Sequence, residues 1–166
     1  MSTNKFIQLF KHPVKSRMFL FSKLPSAYFA GVRVKHLDEQ KCETTVPFKW
    51  FSQNPFRSTY FACLSMAAEM STGALAMIHL ADKPPVSMLV LKVNGDYKKK
   101  AVGVTTFTCD QGEVIKKAIE ETIATGEPQI VNLSSIGRNG NGETIAEFEI
   151  SWSFMKRKNQ KSKIQI

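Results

Sequence analysis

The sequence is poor in cysteine, proline and glycine, with 3, 7 and 9 of these among 166 residues. The number of cysteines is odd and no two have CxxC spacing, which argues against a disulfide framework and a zinc site; they are Cys42, Cys63 and Cys109. Few glycines and prolines, with 43% hydrophobic residues, exclude a collagen-like, disordered or low-complexity chain. We therefore expect a one-domain, cytoplasmic protein whose core needs no metal or other cofactor.

The N-terminal region also lacks the unbroken apolar run of ~7–15 residues that a signal peptide requires. Lys11, His12 and Pro13 interrupt its two apolar clusters, residues 6–10 and 18–21. Because proline disfavours helix in the residue before it, we expect two short amphipathic helices that meet at Pro13. The predicted organisation is an N-terminal helical segment (1–28), a main domain (29–155) and a basic tail (156–166).

Acidic residues are the minority, with 14 Asp and Glu against 23 Lys and Arg, a net charge of +9. Five of the cations lie in the last eleven residues, which contain no acid: Lys156, Arg157, Lys158, Lys161 and Lys163. Such a tail could meet nucleic acid, an anionic lipid surface or a phosphorylated ligand, or could be a solvated terminus. Because no RRM, KH or finger motif accompanies it, we do not predict nucleic acid as a partner.

Alternation of apolar and polar residues with a period of two indicates strands on both sides of a long apolar segment. Two strands are predicted at 32–36 and 42–50, joined by a turn at 38–40. Four more are predicted at 86–93, 102–108, 130–136 and 146–154. Because hairpins connect most of them, we expect an antiparallel sheet with a helix covering its apolar face.

Turn and cap residues set several boundaries. Asn94-Gly95 favours a two-residue hairpin, and a long strand bulged at Gly95 that turns near Lys100 is the alternative. Asp110 and Glu113 predict a capping box at the start of a helix that ends at Gly126.

The apolar segment from Ser58 to Leu80 is predicted to be one long helix. Ser58 is a favourable N-cap residue, and Glu69 and His79 are the only acidic or basic residues that follow it in the segment. A helix that is apolar on nearly all sides is either buried or membrane-spanning. A carboxylate in mid-bilayer would cost about 3 kcal/mol. We therefore predict a helix enclosed by the sheet and no transmembrane segment.

Glu69 is the first candidate for chemistry. At 100° per residue, Ala62, Ser65 and Gly73 share its face of the helix, and their small side chains leave room beside the carboxylate. Burial would raise its pKa, which suits a general base or nucleophile. The alternative is a structural glutamate bonded to nearby polar groups or buried in a dimer interface.

The start of the helix is the second candidate. Its first backbone N–H groups lack helical partners and carry partial positive charge, which suits a thioester or carboxylate oxygen. Arg57 adjoins them. Asn54 can donate or accept a hydrogen bond there, or it is simply a turn former before Pro55.

This order of segments resembles the hotdog fold, and in particular its thioesterase-like (PaaI/4HBT-like) branch with the DUF4442 domain. The resemblance is carried by residues 54–62, NPFRSTYFA, and 67–73, AAEMSTG. Residues 25–31 and 96–101 add support. It implies an α+β hotdog fold, in which a curved antiparallel sheet of about six strands wraps a long central helix, with N-terminal helices added.

The resemblance also implies roles for residues. Acyl-CoA thioesterases of this fold commonly begin the helix with His-Gly-Gly and carry an acid nine residues after the histidine. Glu69 matches that acid, whereas Tyr60, Phe61 and Ala62 replace His-Gly-Gly. Glu69 would activate water or attack the thioester carbonyl, and a backbone N–H near Phe61 or Ala62 would polarise that carbonyl. Asn54 corresponds to an Asn or Gln common in the preceding loop.

The family likeness further implies a homodimer or a dimer of dimers with sites between protomers, acting on an acyl-CoA or acyl-carrier-protein thioester. Coenzyme A phosphates would meet Lys98, Lys99 or Lys100, Arg138 or the tail. The predicted site is thus catalytic Glu69 and Asn54 with a substrate-binding set comprising Arg57, Ser58, Tyr60, Phe61, Ala62, Ser65, Gly73, Lys98 and Lys99. The leading hypothesis is a thioesterase, and the alternatives are a non-catalytic acyl-binding protein and a membrane-surface or scaffold protein that uses the tail.

Overall fold

In the computed structural model, which describes residues 2–157, three short helices come first: α1 (Thr3–Lys11), α2 (Pro13–Lys23) and α3 (Pro25–Ala30). The His12 side chain accepts a hydrogen bond from the Lys15 N–H and caps α2. Two helices that meet at Pro13 are therefore confirmed, and α3 is an addition. The predicted basic tail lies outside the described residues from Lys158 onward.

Within residues 2–157, six strands form one antiparallel sheet in the order β1-β2-β4-β5-β6-β3. The strands are β1 (Arg33–Leu37), β2 (Cys42–Val46), β3 (Val86–Tyr97), β4 (Thr105–Cys109), β5 (Gln129–Arg138) and β6 (Thr144–Lys156). The inner face of β6 is buried as its alternation predicts, with Phe148, Ile150, Trp152 and Phe154 all pointing into the core.

The long helix α4 (Phe61–Leu80) lies in the concave side of this sheet and packs against β1, β2, β4, β5 and β6. Two buried hydroxyl bonds fix it there. Thr44 Oγ1 donates to the Ala67 carbonyl at 2.6 Å, and the Ser71 and Ser135 hydroxyls lie 2.8 Å apart. By length and composition α4 could cross a membrane, but 67% of its apolar window is buried inside the protein. The second long helix, α5 (Gly112–Thr125), packs beside α4.

Two local predictions are wrong or only half right. The strand β3 runs straight through Asn94-Gly95 and pairs with β6, so the two-residue hairpin does not form and the long-strand alternative holds without a bulge at Gly95. The capping box is absent, because Gln111 is the N-cap of α5 and Glu113 bonds the Gln40 amide instead. The predicted end of α5 is correct, since Gly126 is left-handed at φ 81° and its N–H bonds the Thr122 carbonyl.

The start of α4 is also displaced from its prediction. Tyr60 is the N-cap and its side chain makes no capping bond, whereas Ser58 lies two residues earlier in the preceding loop. The reason is that the backbone before the helix is already bound elsewhere. The N–H of Thr59 donates to Ala101 O at 2.8 Å, and that of Tyr60 donates to Ser52 O at 2.7 Å.

Candidate active site

Glu69 occupies the ninth position of α4 and is half-buried. Its carboxylate and the indole ring of Trp152 both lie beside Gly73. A Cβ atom on Gly73 would come 3.1 Å from Glu69 Oε1 and 3.3 Å from Trp152 Cζ2. The glycine therefore provides the room that the carboxylate and the ring occupy.

The Glu69 carboxylate has neither an ion-pair partner nor a hydrogen bond to any group within residues 2–157. Its oxygens keep access to solvent, because no solvent-excluded side-chain oxygen or nitrogen of these residues lacks a partner. Burial raises the pKa of Glu69, because removing the charged form from water costs free energy. A structural glutamate would use its oxygens, so this geometry favours the catalytic interpretation.

The ring beside Glu69 is held in place by hydrogen bonds. Trp152 Nε1 donates to Thr72 Oγ1 at 2.9 Å, and Thr72 Oγ1 donates to the Glu69 carbonyl at 2.9 Å. Trp152 is almost fully buried at 4% exposure. The sequence predicted Trp152 only as a core residue of β6. The alternation of apolar and polar residues along the strand placed Trp152 on the inner face of the sheet. Nothing in the sequence indicated that it lies beside Glu69.

An open cleft of about 520 Å³ lies at the other end of the candidate site, around the start of α4. Among the predicted site residues, it is lined by Asn54, Ser58, Tyr60, Phe61, Lys98 and Lys99. The ring of Phe61 lies across from Tyr97, with centroids 6.3 Å apart. The structure therefore brings the predicted loop and the lysines after β3 together in one place.

Two backbone N–H groups at the start of α4 have no hydrogen-bond acceptor among the described residues. The N–H of Cys63 bonds the Tyr60 carbonyl at 2.9 Å, whereas the N–H groups of Phe61 and Ala62 have no protein acceptor within the described residues. They are the first two amides of α4, where the helix dipole is positive. These are the amides expected to receive a carbonyl oxygen.

The side chain of Asn54 makes its hydrogen bonds within its own loop. Its Oδ1 accepts from the N–H groups of Phe56 and Ser58, at 3.0 and 3.2 Å, and its Nδ2 donates to Ser58 Oγ at 3.1 Å. Arg57 in the same turn is left-handed at φ 58° and its side chain is exposed. The amide of Asn54 thus shapes the loop that precedes α4, and a catalytic role for it stays a prediction.

The lysines that follow β3 differ in how far they are neutralised. Lys98 lies 3.5 Å from Glu147 and 3.9 Å from Asp96, and Lys99 forms an ion pair with Glu143. Among the described residues, Lys100 makes only a 3.4 Å bond to the Phe56 carbonyl. Lys100 is therefore the cation with the most unused charge at the cleft.

The predicted residues fall into two groups along α4. Glu69 and Gly73 belong to the first, and the residues of the cleft belong to the second. Eight residues separate Phe61 from Glu69, which is about 12 Å along the helix axis. The half-buried Ala62 and Ser65 lie between the groups. One protomer therefore cannot place its Glu69 carboxylate and its free amides on the same carbonyl group.

No metal centre accompanies either group in the part of the chain that the structure describes, where no three His, Cys, Asp or Glu side chains cluster as ligands. All three cysteines are free and buried.

Solved structures with the same architecture are numerous, though distant in sequence. PA5026 of Pseudomonas aeruginosa, a protein of unknown function described as a probable thioesterase, is 18% identical at a TM-score of 0.73, covering 88% of this chain and 97% of its own. The thioesterase HI1161 of Haemophilus influenzae is 13% identical at a TM-score of 0.66, with coverages of 87% and 91%. A protein of unknown function from Chlorobaculum tepidum is 16% identical at a TM-score of 0.74, covering 93% of this chain and 94% of its own.

These likenesses show the hotdog fold of thioesterase-like proteins, as the sequence predicted. No curated protein matches the chain. Residues 15–154 match the family described as Domain of unknown function (DUF4442), which covers most of the chain and includes α4 with both parts of the candidate site. The chain therefore belongs to the DUF4442 family and has the thioesterase-like hotdog fold.

Proposed function

We propose that this protein hydrolyses an acyl thioester, with Glu69 as general base or nucleophile. The observation that carries the proposal is the free, half-buried Glu69 carboxylate beside Gly73 and Trp152. Structural neighbours described as thioesterases support the reaction class. As a base, Glu69 takes a proton from water and the hydroxide adds to the thioester carbonyl. The C–S bond then breaks and the proton held by Glu69 passes to the departing sulfur, which releases a thiol and a carboxylic acid.

The carbonyl oxygen becomes negatively charged in this step and needs hydrogen-bond donors to stabilise it. The free N–H groups of Phe61 and Ala62 would stabilise it, as backbone amides do in acyl transfer. Because about 12 Å of helix separates them from Glu69 in one chain, the amides have to come from the α4 of a second copy. The site is therefore complete only in a homodimer, alone or within a dimer of dimers.

The strand β3 supports this assembly. It is twelve residues long, pairs only with β6 within the described residues, and leaves its other edge open. Leu89, Leu91 and Val93 are 63%, 50% and 41% exposed there. A long apolar edge strand invites pairing with another chain, and a symmetric pair of edges would close the dimer.

The positive charge of the cleft indicates the kind of acyl carrier. A phosphorylated carrier, coenzyme A or the phosphopantetheine of a carrier protein, fits the cleft because Lys98, Lys99 and Lys100 line it. Lys100 would contribute most, since acidic neighbours neutralise the other two. Replacing Lys100 by Gln should therefore raise KM for acyl-CoA more than Lys99→Gln does.

The decisive experiment measures free thiol released from a panel of acyl-CoA substrates. The wild-type protein should release thiol, and Glu69→Gln should be slower by about 10²- to 10⁴-fold, the usual contribution of a positioned base. Glu121→Gln, at an exposed glutamate of α5, is the matched control and should retain full activity. Equal rates for the wild type and Glu69→Gln would remove Glu69 from the mechanism.

A non-catalytic acyl-binding protein is the second candidate. The observation that favours it is the side chain at Phe61, 55% exposed at the cleft, in place of the glycine common at the start of this helix in the thioesterases. A bulky residue limits close approach to the backbone amides. Saturable acyl-CoA binding without thiol release from any substrate would establish this alternative.

A further inference from the structure

The N-terminal helices expose an apolar surface that the proposed active site does not use. It is formed by Val14, Met18, Phe21, Phe29, Trp50 and Phe51, which are between 50% and 75% exposed. We call these six residues the N-terminal apolar surface. Exposed apolar side chains that form a contiguous group mark an interaction site more often than isolated ones do.

Contacts between the rings make this surface continuous. Val14, Met18 and Phe21 have i, i+4, i+7 spacing, so they form one outward stripe on α2. The rings of Phe21 and Phe29 are 6.2 Å apart, and those of Phe29 and Phe51 are 5.7 Å apart. Trp50 packs on Phe51 at 4.7 Å. The stripe therefore extends from α2 through α3 to the short 3-10 turn Trp50–Ser52.

The N-terminal part of this surface, in α2 and α3, carries only positive charge. The first 37 residues contain seven Lys and Arg and no Asp or Glu. Lys15 and Arg17 flank the stripe of α2 by helical position, Lys23 ends that helix, and Lys49 precedes Trp50. All four are exposed, and none makes an ion pair within the chain from 2 to 157.

We propose that the N-terminal apolar surface docks this protein on an anionic phospholipid bilayer. Aromatic and aliphatic side chains would enter the boundary between headgroups and acyl chains, and the surrounding cations would contact the phosphates. Trp50 is suited to this boundary because tryptophan concentrates there, and Phe51 beside it adds an apolar ring of the kind that enters the bilayer. The binding is peripheral, since α4 stays within the sheet.

The positive charge around this surface favours a bilayer over two other occupants, a second copy of the chain and the segment 158–166. Two copies of this surface would bring equal positive charges together, which opposes self-association. The remaining segment, residues 158–166, holds three lysines and no acid, so it is repelled as well. An anionic membrane matches both the apolar area and the charge.

Trp50 provides a direct measurement. The chain has two tryptophans, of which Trp50 is 75% exposed and Trp152 is 4% exposed. With vesicles of phosphatidylcholine and phosphatidylglycerol, the full-length protein should co-sediment and its emission should shift to shorter wavelength as Trp50 enters the bilayer. Pure phosphatidylcholine vesicles should bind it far more weakly, and salt should weaken the binding to anionic vesicles.

Variants separate this surface from the basic tail. Trp50→Ala and Met18→Ser should each weaken binding at least about fivefold, and Lys15→Gln with Lys23→Gln about tenfold or more. Two controls match them in exposure and charge. Ile130→Thr alters an apolar residue that is 62% exposed on β5, and Lys116→Gln with Lys117→Gln removes two charges from α5. Both should bind like the wild type.

Three results would overturn the proposal. One is the absence of vesicle binding by the wild-type chain. Another is binding that survives Trp50→Ala and Met18→Ser but disappears when the chain is shortened after Arg157, which would assign it to the tail. A third is loss of self-association in Met18→Ser without any vesicle binding, which would identify a second copy as the occupant. Thermal unfolding of each variant checks that the fold is intact.

Discussion

Burial of the Glu69 carboxyl group has a measurable effect on stability. Its pKa in the folded state is raised by desolvation, above the ordinary glutamate value of about 4.3. The group therefore favours folding when it is protonated, and this contribution is lost as pH rises through the raised pKa. Above the ordinary glutamate pKa, the raised pKa of this buried group therefore costs the folded protein stability, as functional residues often do.

Glu69→Gln cannot ionise, so it should unfold at a higher temperature than the wild type at pH 7. The difference should shrink as pH falls through the raised pKa of Glu69 and should disappear below the ordinary glutamate value of about 4.3. Thermal denaturation between pH 3 and 8 measures it, with Glu121→Gln as the exposed control. A Glu69→Gln variant less stable than the wild type at pH 7 would show that the carboxylate is structural.

Gly73 allows a second test at this scale. An alanine there would press on the Glu69 carboxylate and on Trp152, both of which would have to shift by a few tenths of an ångström. Alanine also favours helix over glycine by about 1 kcal/mol. We expect Gly73→Ala to keep or slightly raise the melting temperature while it lowers thiol release several-fold. Gly103→Ala, where a Cβ meets open space, should leave activity unchanged, and equal activity in both variants would contradict the role given to Gly73.

At the scale of elements, α4 is positioned by hydroxyl groups that bond it to the sheet. Thr44 connects it to β2, Ser71 and Ser135 connect it to β5, and Thr72 connects it to Trp152 on β6. These bonds reach three strands of the sheet, β2, β5 and β6, and set both the depth and the rotation of the helix. The rotation decides that Glu69 points towards β6.

Thr72→Val should remove the acceptor of Trp152 Nε1 and leave a buried donor unpaired, at a cost of about 1–3 kcal/mol. Thr72→Ser keeps the hydroxyl and should lose much less. Urea unfolding followed by the emission of Trp152 measures the difference. Similar losses in the two variants would mean that the methyl group of Thr72, rather than its hydroxyl, supports the ring.

At the scale of the whole molecule, the proposed dimer would both pair the open edge of β3 and complete the divided site. Leu91→Glu with Val93→Glu would place like charges opposite each other in a symmetric edge pair, which costs several kcal/mol. We expect this variant to be monomeric by light scattering and to lose thiol release, because Glu69 and the amides of Phe61 and Ala62 would no longer meet.

Ile130→Glu is the control for that experiment, because Ile130 is also apolar and exposed but lies on β5, an inner strand of the sheet between β4 and β6. It should remain a dimer with full activity. A monomeric Leu91→Glu, Val93→Glu variant that hydrolyses thioesters at the wild-type rate would show that one protomer contains the whole site.

The sequence by itself determined the element types, the wrapped helix and the single acid on it. Periodicity reports which residues are buried, and a lone carboxylate in a run of small apolar residues is visible without coordinates. Only the tertiary structure decided where β3 pairs, where α4 begins and what lies beside Glu69. These depend on contacts between distant segments, such as Thr59 with Ala101 and Trp152 with Thr72. Local propensity near Asn94-Gly95 or Ser58 carries no information about such partners, and pairing with β6 or with the Ala101 backbone outweighed it.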